Sequence, residues 1–477
     1  MTFFNTEITR FLDVYILLIL GYAILIMSSY LMLAYISTKE LRKYLKRNSF
    51  VDYDVLLTSE FAPKLSLIAP AYNEGLTIEE NVKSLLSLNY NNYQVIVVND
   101  GSKDNSMEIL TKTYDLVLTD LDFHPQIETK KIRGIYTSRN AAFKKLIVVD
   151  KENGGKADAL NVGLNIAQNP YVVCIDVDCI LDKDSLLKLA KPFLESYGKR
   201  IIATGGVVRI ANQCVIKNGR LVEVNVPDVM LSRIQVLEYL RAFLLGRMAW
   251  GKLDGLLLIS GAFGAFDKEI AILSGGYSTK TVGEDMELIV RMRRYMLDNK
   301  LPYSVSYIPD PLCWTEAPED FKIFKKQRSR WMRGTIETLS IHRRMFLNPK
   351  YKLLGMLSVP YWTLFEFLAP GIEFIGLIIT AVFIIFGLLN WHFFFLLLFF
   401  VYSFAVLFSV IALYSEEKTY HKYPKQADFF KLLMAAFVEP FYFHPLTVYA
   451  ALVGYKEKIM GTKGWGEMTR KGFTKKE

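Results

Sequence analysis

Tyr171-Val-Val-Cys-Ile-Asp-Val-Asp178 is the stretch on which the fold turns. Its five apolar, mostly β-branched leading residues read as a short buried strand. The strand ends on two carboxylates, Asp176 and Asp178. In an open α/β sheet the carboxyl ends of the strands border the ligand crevice, so this pair projects into it. Two acids without a basic neighbour repel each other, and a divalent cation relieves that repulsion. Hard oxygen ligands suit Mg2+ or Mn2+, ions that commonly hold substrate phosphates. Two acids two positions apart are common by chance, so the weight of the motif comes from its company along the chain.

Outward from this strand, residues 64–69, 93–98, 146–149 and 201–208 also read as strands. Residues 70–75 form a turn, a helix begins at Thr77, and residues 156–167 form another helix. Strands alternating with helices at this spacing predict a mostly parallel sheet covered by helices. Residues 112–142 show no strong period and read as a decorated connection. From Leu231 the pattern turns to long helices, with a small-residue segment at 260–266. A basic, aromatic-rich amphipathic helix covers 321–339, as expected at a membrane surface.

The chain has 477 residues, 52% of them hydrophobic, and the excess is concentrated. Residues 14–38 carry no charge and are long enough to span a bilayer, as a retained anchor and not a cleaved signal. Residues 374–415 are also charge-free and break near Asn390-Trp391-His392, which reads as two spans joined by a tight turn. Residues 353–368, with Glu366 among aromatics, read either as an interfacial helix or as a further span. Residues 429–455 are apolar but broken by Glu439-Pro440 and His444-Pro445. The expectation is an integral protein of the cell membrane. An anchor covers 1–45, a cytoplasmic domain 60–345, membrane helices 350–455 and a basic tail 456–477.

Net charge is +9, and Lys39, Arg42, Lys43, Lys46 and Arg47 follow the first span, which puts the region after it on the cytoplasmic side. The basic tail argues for the same side, yet one span followed by three would put it outside. Either residues 429–455 are re-entrant or 353–368 also cross. No zinc-finger spacing or aromatic RNA motif is present, so the charge points to lipid and phosphate, not to nucleic acid. Cys174, Cys179, Cys214 and Cys313 are scattered and read as reduced thiols. The five histidines form no HExxH, which removes the metalloprotease class.

Further stations fall in order around Asp176 and Asp178. Asp100 closes the second strand in Asn-Asp-Gly-Ser, where the glycine turn leaves the carboxylate free for donors of a base or ribose. Gly154-Gly155-Lys156 opens a helix, whose N-terminus suits an anion and whose lysine suits a diphosphate. This is not a Walker motif, because the spacing differs. Glu284 and Asp285 follow a glycine turn, and either could serve as the base that a sugar hydroxyl needs. Gln327, Arg330 and Trp331 lie within about one helical turn, offering amide, guanidinium and indole to phosphate and sugar.

The order PAYNE (70–74), NDGS (99–102), NGGKADALN (153–161), DVD (176–178), GED (283–285) and QRSRW (327–331) resembles the processive family-2 glycosyltransferases. These include cellulose, chitin, hyaluronan and poly-N-acetylglucosamine synthases, and the bacterial last group is nearest in its motifs. The resemblance implies an A-type glycosyltransferase fold, α/β with a mixed, mostly parallel sheet, joined to α-helical membrane segments. It implies that Asp100 contacts uridine, Lys156 the diphosphate, and Asp176 and Asp178 a Mg2+ or Mn2+ ion on UDP. Asp285 is implied as the base, with Gln327, Arg330 and Trp331 at the acceptor and pyrophosphate end. The implied activity is inverting transfer from a UDP-sugar, UDP-N-acetylglucosamine or UDP-glucose, onto a growing glycan, with export and accessory export subunits as further expectations. A single transfer to a membrane lipid, or a non-catalytic membrane scaffold, are the alternatives. The motif reads GED where many relatives have TED, which keeps the acid.

Overall fold

The computed structural model describes residues 2–195, 198–217 and 219–462, with side chains from Val14 onward. A long helix α1 (Thr2–Asn48) and a short α2 (Tyr53–Thr58) lead into the sheet. Then follow β1 (Leu65–Ala71), α3 (Ile78–Leu86), β2 (Tyr93–Asn99), α4 (Ser106–Thr113), β3 (Leu116–Leu118), β4 (Ile132–Ser138) and β5 (Leu146–Lys151). The second half of the domain holds α5 (Lys156–Ile166), β6 (Tyr171–Ile175), β7 (Ile180–Leu181), α6 (Ser185–Leu194), β8 (Arg200–Ile210), β9 (Val215–Lys217) and β10 (Arg220–Glu223). Then come α7 (Met230–Tyr239), a π-helical stretch Leu240–Arg247, α8 (Met248–Lys252), β11 (Phe263–Asp267), α9 (Lys268–Leu273), α10 (Glu284–Asp298), β12 (Tyr303–Thr315) and α11 (Phe321–Ile341). The chain ends in α12 (Val359–Trp362), α13 (Ala369–Ile385), α14 (Trp391–Thr419) and α15 (Gln426–Ile459).

Among the described residues the main sheet has the order β3-β4-β5-β2-β1-β6-β11-β8-β12-β7. Its centre, β5-β2-β1-β6, is parallel, and these strands are near-continuous apolar runs because helices cover both faces. Leu65, Leu67, Ile68, Val95, Ile96, Val97 and Val98 are fully buried there. The flanks are mixed: β11 runs antiparallel to β6 and β8, while β12 lies parallel to β8. The stretch 112–142, expected as a decorated connection, supplies β3 and β4, an antiparallel edge on β5. β12 went unread because Pro309 and Pro311 interrupt it. Proline cannot donate to a ladder, and the register shifts where these two sit.

Among the described residues two helices, Val14–Asn48 and Trp391–Thr419, are long and apolar enough to cross a membrane, and the bent pair 354–367 with 369–385 passes the same test when taken as one span. α1 packs against both C-terminal partners, Tyr15 edge-on to Phe383 and Tyr30 stacked on Phe408. Its last turns enter the α/β domain, where Tyr44 donates to Asp310 at 2.5 Å and Lys191 donates to Asn48 at 2.7 Å. Arg209 at the end of β8 forms a fully buried ion pair with Glu416 near the end of α14.

α15 behaves otherwise. It stays helical through Pro440 and Pro445, although each removes one backbone donor. Both of its ends meet the α/β domain. Lys425 and Lys431 pair with Glu223 and Asp228 at the start, and Glu457 and Lys458 with Arg333 and Glu337 at the finish. Its second half runs beside α11, with Phe443 against Phe324 and Tyr449 against Phe321. Of the basic tail, residues 463–477 lie outside the described residues.

Candidate active site

The carboxyl ends of β1, β2, β5 and β6 carry the first half of the motifs, as a parallel sheet requires. Asn73 adopts a left-handed φ of 56°, and the loop it bends is laced to the Asn-Asp-Gly-Ser segment. Ser102 Oγ accepts from Asn73 N at 2.9 Å, and Asp104 Oδ2 accepts from Gly75 N at 2.8 Å. Ser102 and Asp104 thus shape the crevice wall.

Asp100 departs from expectation. Its carboxylate is not free: Oδ1 accepts from Lys151 Nζ at 2.5 Å and from Gly154 N at 2.9 Å, and Oδ2 from Gly155 N at 2.8 Å. The paired amides before α5, read as an anion cradle, are occupied by this internal anion. Burial holds the Asp100 carboxyl above its usual range, with Lys151 and the two amides pulling the other way. Lys151 is itself fully buried between Asp100 and Asp158, the latter at 2.7 Å. Its role is not legible in the sequence. A lysine ending an apolar strand, three residues before a pair of glycines, is the only local signal.

Asp176 and Asp178 do have a basic neighbour. Lys156 Nζ bonds Asp176 Oδ1 and lies 3.8 Å from Glu284 Oε1. Burial alone would lower the Lys156 ammonium, but Asp176 and Glu284 more than offset it and hold it above the ordinary lysine value. Ligand atoms of Asp176, Asp178 and Cys179 lie within 4.8 Å of one another. The Cys179 thiol hydrogen-bonds Cys313 and is buried, and both raise its pKa far above the usual value, so it stays protonated. The two carboxylates are the hard donors of this set and fit a hard divalent cation.

Asp285 is held from the opposite wall. Its Oδ2 accepts from Gly261 N at 2.8 Å, and its Oδ1 caps its own helix at Met286 N, also 2.8 Å. A Cβ placed on Gly261 would lie 3.2 Å from both Asp285 Oδ2 and Lys156 Nζ, so base candidate and lysine converge on this glycine. Glu284 is 3% exposed. Burial pushes its carboxyl up to about 7; Lys156 draws it down and Asp285 raises it again. Arg330 reaches the same group from α11: burial lowers it, and the charges of Glu284, Asp176 and Asp285 oppose that. Gln327 is half-buried, with its Oε1 unpaired. Trp331 is 41% exposed and lies against Arg328, outside this charged cluster.

A carboxyl raised from 4.5 to about 7 keeps a proton in the folded state that the unfolded chain has released. Its contribution to stability is therefore present below pH 4.5 and is lost as pH rises through 7. Without added metal or nucleotide, the melting temperature of the wild type should fall more between pH 5.5 and 8 than that of Glu284→Gln (about one pKa unit being worth ~1.4 kcal/mol). Equal slopes in the two proteins would refute the assignment.

α10 and α11 touch through two glycines, Gly283 and Gly334. A Cβ on Gly334 would lie 2.7 Å from Gly283 Cα. Gly334→Ala should therefore push the Glu284–Asp285 turn away from Arg330, at a cost of about 1–3 kcal/mol. Thermal melting and turnover measured together check it, and both should fall.

Residues 171–410 match the family model Glycosyl transferase family group 2, and residues 66–213 match Glycosyl transferase family 2. The first match spans half of the chain, and the chain belongs to glycosyl transferase family group 2. It is 30% identical over 276 residues to a poly-beta-1,6-N-acetyl-D-glucosamine synthase of Staphylococcus epidermidis, covering 58% of this chain and 55% of that one. It is 28% identical over 307 residues to the enzyme of that name from Staphylococcus aureus, covering 63% and 60%. The chain thus spans under two thirds of these relatives' length. Among solved structures, a mannosyltransferase of Pyrobaculum calidifontis in complex with GDP-Man and Mn2+ shares the fold. Its TM-score is 0.51 at 16% identity, covering 93% of this chain and 99% of that one.

Proposed function

We propose that the chain is a membrane-embedded, inverting β-glycosyltransferase that extends a polysaccharide from a UDP-sugar, UDP-N-acetylglucosamine or UDP-glucose. The observation that carries this is the convergence of Asp285 and Lys156 on Gly261, with Asp176, Glu284 and Arg330 around them. Lys156 and Arg330 supply cationic charge to a diphosphate leaving group. Asp285, oriented by the Gly261 amide, accepts the proton of the acceptor hydroxyl. One base opposite the leaving group implies a single displacement, so an α-linked donor gives a β-linked product. Asp176 and Asp178 would hold Mg2+ or Mn2+, which when bound neutralises charge on the departing diphosphate. Gln327 and Trp331 belong to the acceptor side in this reading. Asp100, engaged internally, shapes the nucleoside end of the crevice by tying down residues 153–155.

The membrane arrangement follows from α15. Contacts of both its ends with the α/β domain support the re-entrant alternative, in which α15 returns to the side it starts from. Three crossings then remain, which returns the basic C-terminal end to the side of the catalytic domain, the cytoplasm by the positive-inside rule. The growing glycan, the bilayer and any export subunits are its partners in this account.

The test is the anomeric outcome. Purified chain in nanodiscs is incubated with each UDP-sugar and Mg2+ or Mn2+, and the product is digested with β- and α-specific glycosidases. Digestion by the β-specific enzyme alone is expected. An α-linked product rejects the single displacement.

A further inference from the structure

Glu238 and Arg328 have no part in the chemistry above. Glu238 lies near the end of α7, just before the π-helical stretch, and Arg328 follows Gln327 on α11. Arg328 is 7% exposed, and its Nη1 and Nη2 donate to the two carboxylate oxygens of Glu238 at 2.6 and 2.5 Å. A fork of this kind fixes the plane of the guanidinium as well as its place. That guanidinium lies 4.3 Å from the ring centroid of Trp331, 4.9 Å from Phe324, and 5.8 Å from Phe443 of α15.

Trp331 therefore rests on a cation that cannot rotate, while 41% of its surface stays open. Its chain neighbour Arg330 feels the charges of Asp176, Glu284 and Asp285, so the exposed indole is one residue along α11 from the charged cluster. Only the Arg328 side of this pair is buried, the Glu238 side chain being 23% exposed, and a partly solvated ion pair ties two helices together weakly. Holding α7 to α11 is then a poor account of it, whereas fixing an indole plane is something apolar side chains do not do.

We propose that Glu238, acting through Arg328, is a positioning residue that sets the Trp331 indole as the stacking face for a sugar ring of the acceptor glycan. This rests on the transferase reading above. Removing the carboxylate frees the guanidinium, and the indole loses its backing. Replacing the guanidinium by an ammonium keeps the charge but not the flat fork.

The experiment compares wild type, Glu238→Gln, Arg328→Lys and the exchanged pair Glu238→Arg/Arg328→Glu in nanodiscs with UDP-N-acetylglucosamine. Short β-linked N-acetylglucosamine oligomers serve as the acceptor probe. Acceptor KM should rise about tenfold in both single variants, in line with loss of a desolvated cation–π contact. Turnover at saturating acceptor should change by less than about twofold. The exchanged pair should recover the melting temperature but not the acceptor KM, because its guanidinium sits on α7 and not beneath the indole. Wild-type acceptor KM in Arg328→Lys overturns the inference. So does recovery of both properties by the exchanged pair, which would reduce the contact to a helix tie. A wild-type chain that releases no UDP from any donor defeats the transferase reading first, and this inference with it.

Discussion

Asp285→Asn is expected to lower sugar transfer by roughly 10²–10⁴-fold, the usual worth of a positioned general base. The substitution is nearly isosteric. The asparagine carbonyl can still accept from Gly261 N, as Asp285 Oδ2 does at 2.8 Å, while the amide nitrogen cannot accept from Met286 N, a loss of about 1 kcal/mol at the head of α10. What catalysis loses is the acceptor for the hydroxyl proton. Nucleotide affinity, measured by titration with UDP, should persist because Lys156, Asp176 and Asp178 are untouched. Glu284→Gln separates the two acids. Glu284 is buried against Lys156 and is raised to about 7, so its loss should act on donor affinity through the lysine. If Asp285→Asn retained full transfer and Glu284→Gln abolished it, the base would be Glu284.

Lys151→Met carries the second large effect, on stability. Lys151 is fully buried and neutralises two buried carboxylates, Asp100 at 2.5 Å and Asp158 at 2.7 Å. Removing one partner of a buried charge network costs roughly 3–5 kcal/mol, because the remaining charges stay desolvated and unpaired. Here two acids are left behind instead of one. The loop 153–155, which Asp100 pins through Gly154 and Gly155, should loosen with them. A steep fall in melting temperature, with loss of UDP binding in whatever protein remains folded, is the expected outcome. Asp158→Asn in the Lys151→Met background should recover part of the stability, since it removes one of the two stranded charges.

The strand ends and turns of the parallel centre were legible because each apolar run is short and ends at a polar turn. So were the acids at Asp176, Asp178, Glu284 and Asp285, which local spacing sets at the mouths of strands and at a helix start. Partnership was not legible. That Asp100 spends its oxygens on Lys151, Gly154 and Gly155 depends on β2 and β5 being neighbours, and their order in the sheet is not their order in the chain. The Gly283–Gly334 contact and the Glu238–Arg328 fork likewise join helices 51 and 90 residues apart. β12 hid behind Pro309 and Pro311, which forbid ladder donors locally but are absorbed by register shifts. α15 hid behind Pro440 and Pro445 for the same reason: packing along α11 outweighs two missing backbone bonds.

The central claim is that this site transfers sugar from UDP to a growing glycan. The most direct measurement counts UDP released against sugar incorporated, for purified chain in nanodiscs with Mg2+ or Mn2+ and a panel of UDP-sugars. One preferred donor, sugar incorporated in step with UDP released, product lengthening with time, and incorporation by Asp285→Asn lowered by roughly 10²-fold or more are expected. UDP released with a single sugar appearing on lipid, or no turnover with any donor by protein that still binds UDP, would contradict the claim.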